Sequence, residues 1–234
     1  MNAPDNPENA HIVDAAIATR RSVRAFLPTP VARQTVEDIL RVASRAPSGS
    51  NIQGWRVRVL AGTARTALCE AMLKEMTGRG EDRIDREFHY YPRNWREPYL
   101  SRRRKIGWDM YGLLGIVKGD KEAMARQHAR NYAFFDAPVG MVFTMDDDIE
   151  IGGWLDLGMF MENIMIAARG RGLDTCPLAA IASPHQTIRA HLGIPDKEVV
   201  VCGMALGYAD NAAPESALAT ERVPVGEFAE FHGF

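Results

Sequence analysis

Apolar residues recur along this chain at two periods, and the switches between them mark its elements. Ile12, Ala15 and Ala16 share a helical spacing within residues 11–19. Val36, Ile39, Leu40 and Ala43 repeat it, in a helix that should stop before Pro47. Residues 55–60 alternate apolar and polar side chains and predict a strand. Residues 63–76 predict a helix with Leu68, Met72 and Met76 along one face. Residues 138–145 predict a second strand. Residues 155–168 are apolar on nearly every side, the pattern of a buried helix, and Gly170 and Gly172 suit its C-terminal cap. Residues 198–207, centred on Val199–Leu206, predict a fully buried strand.

Residues 78–134 break the pattern. They are charged and aromatic, with Arg102-Arg103-Arg104-Lys105 in the middle, and predict one or two helices joined by loops around Pro92 and Pro98. They read as a lid excursion from the core. The sum is one α+β domain over residues 11–234, a mixed sheet with helices around it, preceded by a flexible arm over residues 1–10.

Composition narrows the class. The chain has 234 residues, 46% of them hydrophobic and 25% charged, with a net charge of -2. That balance gives no reason to expect nucleic acid or an anionic membrane as partner. No apolar run approaches the roughly 18 residues needed to span a bilayer. Cys69, Cys176 and Cys202 are widely spaced with no CxxC motif, which points to a reducing, cytoplasmic setting and no metal site.

Four segments carry candidate chemistry. Arg20, Arg21, Ser22 and Arg24 follow the first helix, and arginine forks bind phosphate and carbonyl oxygens directionally. A solvated cationic helix end explains them equally. Pro47, Ser48, Ser50, Asn51 and Gln53 lie in a loop of small hydroxyl, amide and glycine residues, which can cradle a flat polar ligand or simply turn the chain. Pro177, Leu178, Ala179 and Ala180 follow the buried helix, where small residues let a ligand approach the backbone or form a tight core turn. Gly207 offers another close approach, and Arg222 another phosphate-facing charge or a plain surface residue.

Their order along one chain says more than any one of them. An RRSxR segment, an APSGSNxQ-W loop, a buried helix ending in GL-x-x-CP, and a buried strand with a terminal glycine and a late arginine together resemble the FMN-dependent nitroreductase family. The segments Tyr90–Trp95, Arg102–Trp108 and Phe134–Pro138 resemble its nitrobenzoate and nitroaromatic reductase branch. The resemblance implies a mostly antiparallel mixed sheet flanked by helices, and an intertwined homodimer with FMN at the interface. It implies that Arg20, Arg21, Ser22, Arg24 and Arg222 hold the flavin phosphate, ribityl chain and pyrimidine edge. Pro47, Ser48, Ser50, Asn51 and Gln53 would come from the partner, and Pro177, Leu178, Ala179 and Ala180 would lie near flavin N5. Hydride would pass from NAD(P)H through N5 to a nitroaromatic or quinone in ping-pong fashion, with no catalytic side chain demanded. Phe88, Tyr90, Tyr91, Trp95 and Tyr99 would contact substrate. The residues also leave open a same-fold flavin reductase, dehydrogenase or dehalogenase, a non-catalytic flavin- or nucleotide-binding regulator, and an interaction module using the 102–105 run.

Overall fold

The computed structural model of the chain describes residues 7–78 and 87–234. Residues 1–6 of the expected arm and 79–86 of the expected excursion lie outside the described residues. The first helix, α1 (Pro7–Thr19), starts inside the stretch expected to be a loose arm. Proline suits a helix's first turn, where its missing N–H has no intrahelical partner to lose.

The chain continues through α2 (Arg33–Ala43), β1 (Arg56–Ala61), α3 (Gly62–Gly78), α4 (Tyr99–Leu113), α5 (Lys121–Ala129) and a 3₁₀ segment (Arg130–Asp136). It returns to the sheet as β2 (Val139–Asp146), then α6 (Ile151–Arg169), β3 (Asp174–Leu178), a 3₁₀ turn (Ala179–Ala182), α7 (His185–Leu192) and β4 (Glu198–Gly207). The strand order is β1-β2-β4-β3 and every strand pair is antiparallel. Among the described residues a parallel contact enters only as an isolated bridge between Ser22 and Thr175.

β3 was not expected as a strand: Pro177 and Leu178 lie in it, and only Ala179 and Ala180 of that candidate segment belong to the turn that follows. In the strand, Pro177 sits opposite Met204. Proline is tolerated there because β3 is an edge strand, where a missing N–H breaks no ladder on the open side.

Two cores explain why β2 and β4 read as continuous apolar runs. Met141, Phe143, Met145 and Met204 pack with α2 and α6 on one face. Val142, Val200 and Ala205 pack with Leu68 and Met72 of α3 and Ile188 of α7 on the other. A sheet buried on both faces needs apolar side chains at both parities.

Helix α6 begins four residues earlier than expected and is not buried all round. Leu155 is 67% and Met159 38% exposed in the single chain, although Leu157, Phe160 and Ile164 are buried. Its apolar outer stripe is therefore left for something other than this protomer's core. Of the two expected capping glycines, Gly172 takes the left-handed conformation (φ 71°), while Gly170 stays right-handed (φ -63°).

The polar positions of β1 are not solvent-facing decoration. Arg58 reaches across β2 to Glu198 at 2.6 Å, and Thr144 Oγ1 donates to the same carboxylate at 2.5 Å. Arg56 makes a two-pronged contact with Asp146, at 2.5 and 2.9 Å. Burial of Glu198 raises its carboxyl, but the Arg58 and Thr144 hydrogen bonds outweigh that and hold it below its ordinary 4.5. A carboxylate depressed on folding adds stability above its unfolded value and loses it as pH falls through the folded one. Stability should therefore decline as the pH falls below about 4.5. Glu198→Gln should flatten part of that decline in urea midpoints measured across the acid range.

Candidate active site

A cavity of about 440 Å³ opens beyond the C-terminal end of β3. Its floor is Cys176, Pro177, Leu178, Ala179 and Ala180, where β3 gives way to the 3₁₀ turn. Ala179 and Ala180 carry nothing past Cβ, so a flat ring can come close to the backbone. Arg24 forms another wall. It is carried there because its segment runs beside β3, with Val23 N–H donating to Thr175 O at 3.0 Å. The sequence thus brings two of its four candidate segments into one wall.

The other arginines divide. Arg20 is largely buried and sits 3.7 Å from Glu162. Its positive charge and that of Arg24 both reach the Cys176 thiol, pulling against the burial that pushes that thiol up to about 11. Arg21 turns away, donating to the Ser216 carbonyl and, at 2.7 Å, to Asn211 Oδ1. These bonds tie it to the C-terminal segment. Ser22 accepts from Arg24 Nη1 through its carbonyl, at 3.1 Å.

The Pro47–Gln53 loop does not reach the cavity. It is held on α6 instead. Asp156, buried in that helix, accepts from Ser48 Oγ at 2.7 Å and Gly49 N at 3.1 Å, and Ser48 Oγ accepts from Gln53 N at 2.8 Å. These bonds keep Ser50, Asn51 and Gln53 in left-handed conformations, with φ between 49° and 59°. Such conformations cost on the order of 1 kcal/mol or more each and cluster where function requires them. Pro47, Ser50, Asn51 and Gln53 are exposed. Asp156 went unremarked in the sequence reading, yet an aspartate inside an apolar helix was its signal, since a buried charge must find a partner.

Gly207 and Arg222 also stand apart from the cavity. A Cβ on Gly207 would lie 2.6 Å from the Pro138 ring and 3.1 Å from Phe26, so its smallness serves packing rather than ligand approach. Arg222 is exposed and, among the described residues, bonds only to the neighbouring Thr220 and Glu221.

Of the five aromatics expected at substrate, Phe88, Tyr90 and Tyr91 line the cavity, while Trp95 and Tyr99 do not. Phe88 is set edge-on to Trp154 of α6, with centroids 4.7 Å apart, and Tyr90 edge-on to Tyr91 at 4.9 Å. Met110, Tyr111, Gln127, Tyr132 and Phe135 are among the other lining residues, and none of these five was expected. Their signal was weak, because a helix's cavity face and its core face share one spacing.

The root of the aromatic segment is fixed by charge. β3 pairs with β4 only from Gly203 onward, leaving Glu198–Cys202 without a strand on that side. Arg189 of α7 donates to the Glu198 carbonyl, Val200 N–H donates to Glu87 Oε2 at 3.0 Å, and Arg189 and Glu87 pair with each other. The residue before Phe88 is thereby tied to the central strand.

The wall suits an oxygen-rich, anionic ligand of the FMN type. Gln127 is buried there with its amide nitrogen unpartnered among the described residues. Arg24 commits one N–H to Ser22 and pairs with no carboxylate among the described residues. Both are hydrogen-bond donors, as the phosphate and carbonyl oxygens of such a cofactor would require.

Glu87→Ala leaves Arg189 without its carboxylate and Val200 without its acceptor. A loss of about 1–3 kcal/mol in denaturant unfolding is expected, with Glu87→Gln milder because its amide oxygen still accepts. Cys176 touches the cavity but is held protonated, at about 11, and Cys202 at about 12. Iodoacetamide at pH 8 should leave the native protein unlabelled at both, as read by intact mass, because the thiolate is the reactive form.

Comparison with known proteins agrees with this geometry. The Nitroreductase family model matches residues 17–208. The chain is 39% identical to a nitrobenzene nitroreductase of Ectopseudomonas oleovorans and 40% identical to a 4-nitrobenzoate reductase of Pseudomonas putida. Each match covers 94% of this chain and 96% of the relative. Among solved structures, the FMN- and NADPH-dependent nitroreductase NfnB of Sphigopyxis sp. strain HMH superposes with TM-score 0.91 at 35% identity, covering 95% of this chain and 99% of that one. NfnB from Mycobacterium smegmatis in complex with NADPH superposes with TM-score 0.90 at 28% identity, covering 96% and 99%. With the family model spanning most of the chain and the fold shared almost end to end, this protein belongs to the nitroreductase family.

Proposed function

We propose that this chain is an FMN-dependent NAD(P)H oxidoreductase that reduces nitroaromatic acceptors, with quinones as a second acceptor class. The observation that carries this is one cavity gathering Arg24, the Pro177–Ala180 floor and the Phe88, Tyr90 and Tyr91 aromatics. Relatives named for nitrobenzene and 4-nitrobenzoate point to the acceptor class. The cofactor's contribution is two-electron hydride chemistry at N5, taken from the nicotinamide and given to the acceptor in ping-pong order.

The chain's own residues do the rest. Arg24, with Arg20 behind it, supplies positive charge that favours negative charge on a bound ligand. The alanine floor gives access to a flat ring, and the aromatics offer it a stacking surface. Cys176 stays a neutral thiol and supplies no nucleophile. No wall residue is needed as acid or base, because solvent can deliver protons.

What one protomer leaves undone supports a homodimer. The 47–53 loop is shaped but does not line its own cavity. Ile12, Val13, Ile17, Ile52, Leu155 and Met159 are exposed together with Phe228 and Phe231. That much uncovered apolar surface is what a subunit interface uses. The loop would then complete the partner's site.

Purified protein should be yellow, releasing FMN on denaturation, and NADPH or NADH should bleach it under anaerobic conditions, with 4-nitrobenzoate restoring the colour. A colourless protein that fails to take up added FMN refutes the proposal. Arg24→Ala should weaken FMN retention by about tenfold or more, the worth of a charge-assisted hydrogen bond.

A further inference from the structure

We propose that Arg103, with Arg104 beside it, forms an anion subsite at the cavity rim that takes the 2′-phosphate of NADPH; this rests on the function proposed above. Met110 and Tyr111 of α4 line the cavity. Arg103 and Arg104 lie seven residues before them in the same helix. Seven residues is close to two turns, so the arginines share that face and stand about 10 Å further along the axis.

A line of stacked groups joins the two places. Tyr91 lines the cavity, Trp95 tilts against Tyr91 with centroids 5.7 Å apart, and the Arg103 guanidinium lies over Trp95 at 4.7 Å. Stacking fixes the guanidinium plane while leaving its N–H edge free for a bidentate anion. Among the described residues Arg103 makes no hydrogen bond and no ion pair. Its neighbour Lys105 differs, being neutralised by Asp109 at 2.7 Å and Glu221 at 3.5 Å. The basic run is therefore not uniform: one cation is paired off, and another is held flat and ready.

Reach selects the ligand. A one-ring acceptor in the cavity does not extend two helical turns to Arg103. A dinucleotide with its nicotinamide in the cavity does, and its adenosine end is the part left near the rim. NADPH carries a phosphate on that adenosine where NADH carries a hydroxyl. A phosphate dianion against an arginine fork is the strong, directional case of hydrogen bonding.

The test compares FMN-loaded wild type with Arg103→Ala, Arg103→Lys and Trp95→Leu, using NADPH, NADH and calorimetric binding of 2′,5′-ADP. Arg103→Ala should lower kcat/KM for NADPH about tenfold while NADH changes by less than about twofold, and should weaken 2′,5′-ADP to match. Arg103→Lys should recover only part of the preference, since it keeps charge but loses the fork. Trp95→Leu should erode the same preference by freeing the guanidinium. An unchanged NADPH-to-NADH ratio in Arg103→Ala overturns the proposal. So does an equal loss with both nucleotides, or a loss confined to 4-nitrobenzoate relative to nitrobenzene, which would make the site a carboxylate subsite. If wild type oxidises neither nucleotide, the proposed function fails, and 2′,5′-ADP then decides the subsite alone. Binding that Arg103→Ala removes supports it; no binding, or binding that survives, overturns it.

Discussion

The hydrogen bond from Val23 N–H to the Thr175 carbonyl determines where chemistry can occur in this protein. It lays the segment after α1 against the open edge of β3, with Ser22 bridged to Thr175. Once that pairing is made, Arg24 and the Pro177–Ala180 floor have no freedom to separate. Leu27 N–H to the Tyr208 carbonyl and Asp210 N–H to the Ala25 carbonyl continue the fastening past the end of β4. A cation and a floor that are about 150 residues apart in sequence thus share one wall because an edge strand accepted a neighbour.

The opposite wall depends on electrostatics rather than pairing. The free edge of β4 at Glu198–Val200 exposes backbone groups that a buried strand must satisfy. Arg189 and Glu87 satisfy them with side chains and then neutralise one another. The same strand's Glu198 carboxylate is met by Arg58 and Thr144 from the other side. Aromatic residues near the cavity are accordingly anchored to a region where every charge has a counterpart, which limits how far Phe88 can drift.

The elements that sequence revealed are those whose period records their burial. Strands β1, β2 and β4 and helices α2 and α3 show in the apolar spacing because one or both faces meet a core. β3 did not show, because five residues containing a proline look like a turn until an antiparallel partner is known. The RRSxR and Pro177–Ala180 segments were legible as chemistry, and the structure assembles Arg24 and the floor in one cavity. Arg21 and Gly207 looked alike in kind, and in the single chain Arg21 bonds the C-terminal segment while Gly207 packs against Pro138, contacts too distant in sequence to be read from it. Trp95 and Tyr99 illustrate the limit for aromatics: Tyr91 and Trp95 are four residues apart and pack against each other, yet only Tyr91 lines the cavity.

Asp156 has a consequence for association. By gripping Ser48 and Gly49 it locks three left-handed residues before any partner arrives. Ordering a loop at an interface ordinarily consumes part of the association free energy. Here that ordering is completed during folding, inside one chain, against a carboxylate that has no other partner among the described residues. A surface meeting this loop therefore encounters a rigid template, and its affinity need reflect only contacts and desolvation, not the taming of a flexible segment.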